Sequence, residues 1–356
     1  MKSIACRTGP VLVPRSGRVK ADAISIVEAA YDCESDTRTW LDRLLEKAAP
    51  KLDRGFGVGV SIYEPGVAPD RLLVGSQYAH QRLHDSLMRM SLEDPEGYRR
   101  ANSAPLVMGT VTETLQMTSR DARTYRPFVE CLHPFGIQDV VGVIARDPSG
   151  YAVIFNAPSP DLRRPTRYER STWSRIAAHI GASARLRRVI AKISKGDLAA
   201  SADAVLSPSG SMVHGDERAQ SPDDRDCLRR AAKAIDRARS KARGNEDEAL
   251  DLWQGLVAGR WSLIEQFDSD GRRFMVARRN DPQVTDPRAL GLRERQVLAY
   301  VAMGHPAKLI AYSLGVSPSS VSTTRRAAMR KLGLQTTADV VRLFAGPPGP
   351  ESPQER

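Results

Sequence analysis

Between Pro318 and Leu332 the residues sort into two chemistries when wound at about 100° each. Ser319, Ser322, Thr323, Arg326 and Arg330 fall within roughly 100° of one another, while Val321, Ala328 and Leu332 gather on the other side. Hydroxyls donate and accept hydrogen bonds, and a guanidinium meets guanine or phosphate as a two-pronged donor. Such a face has what an element lying in a DNA major groove needs. Rival chemistries are thinner. His80 and His84 share a helix face without a third metal ligand beside them. Cys131 and His133 are neighbours in sequence, but His133 precedes a proline in an expected loop, and adjacency does not make a nucleophile and base. The chain carries no glycine-rich phosphate loop, nucleophile elbow, kinase set or receiver-type arrangement of acids with a late lysine. No catalytic residue, metal site or cofactor is expected, and the chain is not read as an enzyme.

The elements that must hold that face are four short helices, predicted at 293–303, 306–314, 318–332 and 337–344. Gly304, Gly315 and Gly333 stand where the first three stop, as left-handed helix ends favour. The second and third, joined by Gly315-Val316-Ser317, form a helix-turn-helix pattern.

This stretch resembles the DNA-binding domain of LuxR-type (GerE-type) regulators. Arg293-Glu294, Val297-Leu298, Gly304, Lys308, Ile310-Ala311, Leu314-Gly315-Val316-Ser317, Val321 and Lys331-Leu332-Gly333 fall where that family's pattern expects them. The resemblance implies that Ser322, Thr323 and Arg326 read bases and that Lys308, Ser320, Arg325 and Arg330 meet phosphates, with Ser319 on the same face. It also implies a homodimer on double-stranded promoter DNA, with the fourth helix at the dimer contact and RNA polymerase as a further contact. Departures are Gly291 for a usual Thr, Pro306-Ala307 for Ser-Asn, Leu309 for Glu, Thr324 for His and Ala328 for a larger aliphatic. They imply lowered stability or altered site preference rather than loss of DNA binding.

Charge agrees in place as well as in sign. The 356 residues carry a formal +11, and 288–344 alone hold nine cations against two anions. Hydrophobic content of 41% with 27% charged residues is that of a globular chain. No run approaches a membrane span, and Cys6, Cys33, Cys131 and Cys227 lack CxxC spacing, which fits a reduced cytoplasmic setting.

The expected fold class is multidomain α+β, with two antiparallel-sheet modules ahead of the all-α four-helix domain. Residues 1–20 read as a flexible leader. Residues 21–195 give two helices, two strands, helix, strand, helix, hairpin and a long helix at 166–194, an order resembling a GAF-like sensor. Its stripe of Trp173, Ile176, Ile180, Ser183, Leu186, Ile190 and Ile193 is expected to cover its own sheet first and to pair with a second copy only second. Residues 199–280 read as hairpin, helices, hairpin, resembling a shortened PAS-like module. A linker at 281–289, the helix-turn-helix domain at 290–345 and a disordered tail at 346–356 complete the chain. The expectation is a DNA-binding transcription regulator whose front modules answer a small effector or a partner protein. The alternative is a small-molecule-binding or enzymatic sensor with a degenerate DNA-binding domain.

Overall fold

The computed structural model describes residues 22–64, 74–79, 81–103, 106–147, 151–191, 202–258, 261–267, 272–280, 290–332 and 334–344. The expected leader, linker and tail lie outside these, as do Gly333 and the turns at 148–150 and 268–271.

The front of the chain runs α1 (Ala23–Ala30), α2 (Thr37–Leu52), β1 (Gly59–Tyr63), β2 (Val74–Ser76), α3 (Gln81–Glu93), α4 (Pro95–Ser103) and β3 (Met108–Thr110). It continues through α5 (Val111–Thr114), α6 (Ser119–Thr124), α7 (Arg126–Cys131), β4 (Asp139–Arg146), β5 (Ala152–Ser159) and α8 (Arg167–Ile190). Caps fix the helix starts. Asp36 accepts from the Arg38 and Thr39 N–H groups, and Thr166 and Glu169 form a reciprocal capping box at α8. Such a cap stabilises a helix by roughly 1 kcal/mol.

These strands form an antiparallel sheet in the order β2-β1-β5-β4-β3. One face carries Val60, Val143 and Phe155 into a core with Trp40 and Leu44 of α2 and Ile176 of α8. The other face is cut back to small groups. The register sets Gly59 opposite Asn156, Asn156 opposite Gly142, and Gly142 opposite Gly109. Helices α3 to α7 close over this face, where Leu83, Leu87, Phe128 and Leu132 cluster with Val140 of β4.

A second sheet follows, built from β6 (Ala204–Leu206), β7 (Met212–Gly215), β8 (Trp261–Phe267) and β9 (Arg273–Arg279) in the order β7-β6-β9-β8, with α9 (Pro222–Arg239) and α10 (Glu246–Ala258) between its hairpins. The expected boundary near 195–199 is crossed by one apolar core. Ala204, Leu228, Trp253 and Ala277 belong to the same buried cluster as Trp40 and Phe155.

Helix α8 is the element shared by both halves. From His179 to Leu186 every residue is buried, so this stretch is covered on all sides by its own chain. The sequence stripe therefore does more than cover one sheet. A Cβ at Gly181 would lie 3.2 Å from the Arg146 carbonyl oxygen, which is why the helix carries no side chain at that approach. Asn280 donates to the Ala182 carbonyl at 2.8 Å and to the Ser262 hydroxyl at 2.7 Å, tying the helix to the second sheet.

The chain ends in α11 (Leu292–Ala302), α12 (Ala307–Leu314), α13 (Pro318–Lys331) and α14 (Thr337–Phe344), within about a residue of the predicted bounds. Helix α4, with Gly97 in its sequence and no apolar stripe, is an addition to the sequence reading. Among the described residues no helix is long and apolar enough to cross a membrane.

Candidate nucleic-acid interface

The last four helices enclose their own core of Val297, Leu298, Val301, Ile310, Leu314, Val321, Ala328 and Val340. Gly315, at φ 64°, ends α12 in the left-handed region and turns the chain into α13. Ser317 caps α13, accepting from the Ser320 N–H at 3.1 Å, and Pro318 takes the first turn, where no donor is needed. Ala328, light for its position, is fully buried with Met329 beside it.

Ser319, Ser320, Thr323, Arg326 and Arg330 all stand exposed on α13, and Lys308 is exposed in the first turn of α12. Ser322 and Arg325 are half-buried and engaged within the domain. The Ser322 hydroxyl donates to the Pro318 carbonyl at 3.1 Å, which leaves only its oxygen to accept. Arg325 donates to the Thr337 hydroxyl at 2.6 Å, bracing α13 against α14. The face open to a ligand thus combines hydroxyls with three cations and no carboxylate of its own helix.

The opposite side of the domain is docked on the front of the chain. Helix α12 packs along α10 and α8. Leu309 and Tyr312 are buried there while standing outside the domain's own apolar core, so Leu309, where the family pattern has Glu, is accounted for by this seam. The Tyr312 hydroxyl donates to the Leu250 carbonyl at 2.6 Å, which obliges it to accept from His179 Nε2 at 2.9 Å. His179 Nδ1, left as the acceptor, then receives the Tyr31 hydroxyl at 3.3 Å. Burial, reinforced by the Arg175 charge, pushes His179 down to about 3, so the ring is neutral and one tautomer satisfies the whole chain of bonds. At the edge of the seam His305 stacks on Tyr300 with centroids 5.3 Å apart, and burial followed by the Arg146 charge lowers it to about 4.

A second feature lies in the first sheet's glycine-lined face. A cavity of about 90 Å³ opens between Ser61, Val140 and Asn156 of the sheet and Met90, Tyr98 and Phe128 of the covering helices. Asp94 lies at its wall, accepting from the Tyr125 hydroxyl and from the Gly97 N–H at 2.7 Å, and these two bonds hold its carboxyl below the usual range. Among the described residues no lysine or arginine lines the cavity. The order of elements that resembles a GAF-like sensor did not name these residues. The seam was legible only as the anomaly at Leu309.

A short helix, a left-handed turn and a second helix with a free polar face define a helix-turn-helix domain. Residues 288–344 match the family described as bacterial regulatory proteins, luxR family, and this part of the chain is a LuxR-type domain. Over 93 residues the chain is 36% identical to the transcriptional regulatory protein FixJ of Rhizobium meliloti (strain 1021), a stretch covering 25% of this chain and 46% of that protein. The chain therefore spans less than half the length of that relative. Two solved structures align over most of the chain at low similarity. SdiA in complex with octanoyl-rac-glycerol gives 11% identity and a TM-score of 0.30, covering 91% of this chain and 93% of that one. Escherichia coli SdiA in another crystal form gives 13% and 0.24, covering 88% and 91%. TM-scores of this size do not describe a shared fold.

Proposed function

We propose that the protein is a sequence-specific DNA-binding transcription regulator whose front region, built as GAF-like and PAS-like sensory modules, responds to a small ligand or a partner protein. The observation that carries this reading is the exposed face of α13, where Thr323, Arg326 and Arg330 stand exposed while the domain's other side is docked. Arg326 reads a base edge, together with Ser322 and Thr323. Lys308, Ser320 and Arg330 meet phosphates, which positions the helix without selecting sequence. Arg325, tied to Thr337, orients the helix and reaches a phosphate only at the rim of the contact. The protein acts as a homodimer on a two-fold related site, and α14, with Val341 40% exposed, offers the pairing surface, since the middle of α8 is already enclosed.

Arg326→Ala is expected to cost about 1 to 3 kcal/mol at the specific site and to relax base preference at one position. Lys308→Ala should weaken all sequences alike and flatten the salt dependence by about one counterion. Footprints of a site selected from a random pool, followed by salt titrations of both variants, check this. Equal loss of specific and random binding in both variants would overturn the division of roles.

The cavity beside Asn156 supports the sensory half of the reading. Its volume has room for roughly six to nine water-sized groups, the scale of a small ligand or its head. Ser61 and Asn156 stand on the sheet wall of this cavity, so a larger side chain at Ser61 would occupy it. Native mass spectrometry of the purified protein should show a bound small molecule that Ser61→Phe lacks. Identical ligand-free masses for both would remove the cavity from the mechanism.

A further inference from the structure

An open groove of about 860 Å³ separates the docked domain from the front region, and its walls join residues far apart in sequence. On one side stand Lys308 at the start of α12 and Pro318 at the start of α13, and on the other Arg167 and Arg175 of α8 with Asp247 and Asp251 of α10. The charges do not cancel. Arg175 bonds both Asp247 and Asp251, and that cluster keeps one negative charge, which the two cations Arg167 and Lys308 together exceed. Arg170, also on the wall, is held by both oxygens of Glu113 at 3.0 and 2.7 Å. Arg167 and Lys308 are exposed, and no ion pair joins either of them to another described residue. Just ahead of Arg167 the chain exposes Arg163 and Arg164 as well.

The helix starts on the domain side of this groove are those that a helix-turn-helix turns toward the sugar-phosphate backbone, because the reading helix enters the major groove while its partner crosses the strand. A duplex seated on α13 therefore runs its flanking phosphates past the mouth of the groove. The seam keeps the facing wall in place, since α12 is fixed to α8 through Tyr312 and His179. We propose that DNA is held at a second place by the first turn of α8, where Arg167, assisted by Arg163 and Arg164, contacts phosphates outside the base pairs read by α13. The contact is electrostatic and sequence-independent, and it makes the front region part of the DNA-binding surface. It rests on the DNA-binding reading above.

The test uses the full chain and fluorescence anisotropy on two random-sequence duplexes, one trimmed to the footprint of the four-helix domain and one extended by about 10 base pairs at each end. Arg167→Gln is expected to weaken binding to the long duplex and to shrink the slope of log K against log salt by about 0.9, while matching the unmodified protein on the short one. Arg167→Glu should enlarge the loss, and neither change should move the melting temperature, since the side chain is exposed. If Lys308→Gln lowers the salt slope on both duplexes and Arg167→Gln lowers it on neither, the domain binds DNA and the groove does not, and the proposal fails alone. An equal loss on both duplexes also overturns it, because a general field and not a flanking contact would then be at work. If the unmodified protein retains no duplex at any salt, this inference and the DNA-binding reading fall together.

Discussion

Arg185→Leu is expected to lower the unfolding free energy by about 3 to 5 kcal/mol, the cost of stranding one partner of a buried ion pair. The guanidinium is 7% exposed and bonds the Asp147 carboxylate, itself 2% exposed, while its Nε donates to Asn280 Oδ1 at 2.8 Å and its Nη2 to the Asn280 carbonyl at 3.1 Å. Burial works against the charge, but Asp147, together with Tyr300 and Tyr31, more than offsets it and keeps the guanidinium's pKa above its ordinary value. One side chain on α8 thereby joins the end of β4 in the first sheet to the end of β9 in the second. Because burying both charges also costs solvation, the double change Arg185→Leu with Asp147→Leu should recover much of the loss. Urea unfolding of the single and double variants measures both terms. A single-variant cost below about 1 kcal/mol, the level of a surface pair, would show that this bridge does not hold the halves together.

Acid should loosen the seam that holds the four-helix domain, through His179. The ring faces Tyr31 at the end of α1, Trp253 of α10, Tyr312 of α12 and, along its own helix, Arg175, and none of these welcomes a proton. Its folded pKa of about 3 lies below the ordinary 6.5, so the unfolded chain binds the extra proton first as the pH falls. The stabilisation is complete above pH 6.5 and is lost on descending toward 3, at about 1.4 kcal/mol per pH unit for this one group. His305, lowered to about 4 beside Arg146, adds a loss of the same sign over the shorter span from 6.5 to 4. Carboxylates titrate in the same window, so the informative quantity is a difference. The slope of unfolding free energy against pH in His179→Gln should be shallower than in the unmodified protein by about one proton's worth. Identical slopes between pH 4 and 6 would mean that His179 is solvated or already protonated in the folded state.

The four C-terminal helices were legible because each states its own limits. A cap or proline opens it, a glycine follows each of the first three, and a stripe at helical period marks the side that Val297, Ile310 and Val321 bury. Strands β8 and β9 were equally plain, as apolar runs around a polar turn. Hydropathy fails where burial comes from close approach rather than from oil. Gly181, Ala182 and Arg185 fall outside the stripe of α8, which passes through Ser183, yet all four are buried, because the two sheets and the docked domain close around a thin section of helix and supply partners for its polar groups. The candidate site divides in the same way. The reading face follows from spacing within one helix, whereas the groove needs Arg167 and Lys308 to be brought together by the docking of α12 on α8, which no local pattern encodes.

Enclosure of α8 also bears on the order in which the chain can mature. The helix is complete once Ile190 has been made, but the strands that cover its second side are not finished until Arg279, and the tyrosine that accepts from its histidine comes later still, at position 312. Until then a nascent chain carries His179, Ala182 and Arg185 without the partners that Tyr312 and Asn280 supply, an interval in which slow long-range pairing leaves sticky surface in reach of other chains. The helix that unites the finished molecule is the part of the growing one most in need of a chaperone's cover.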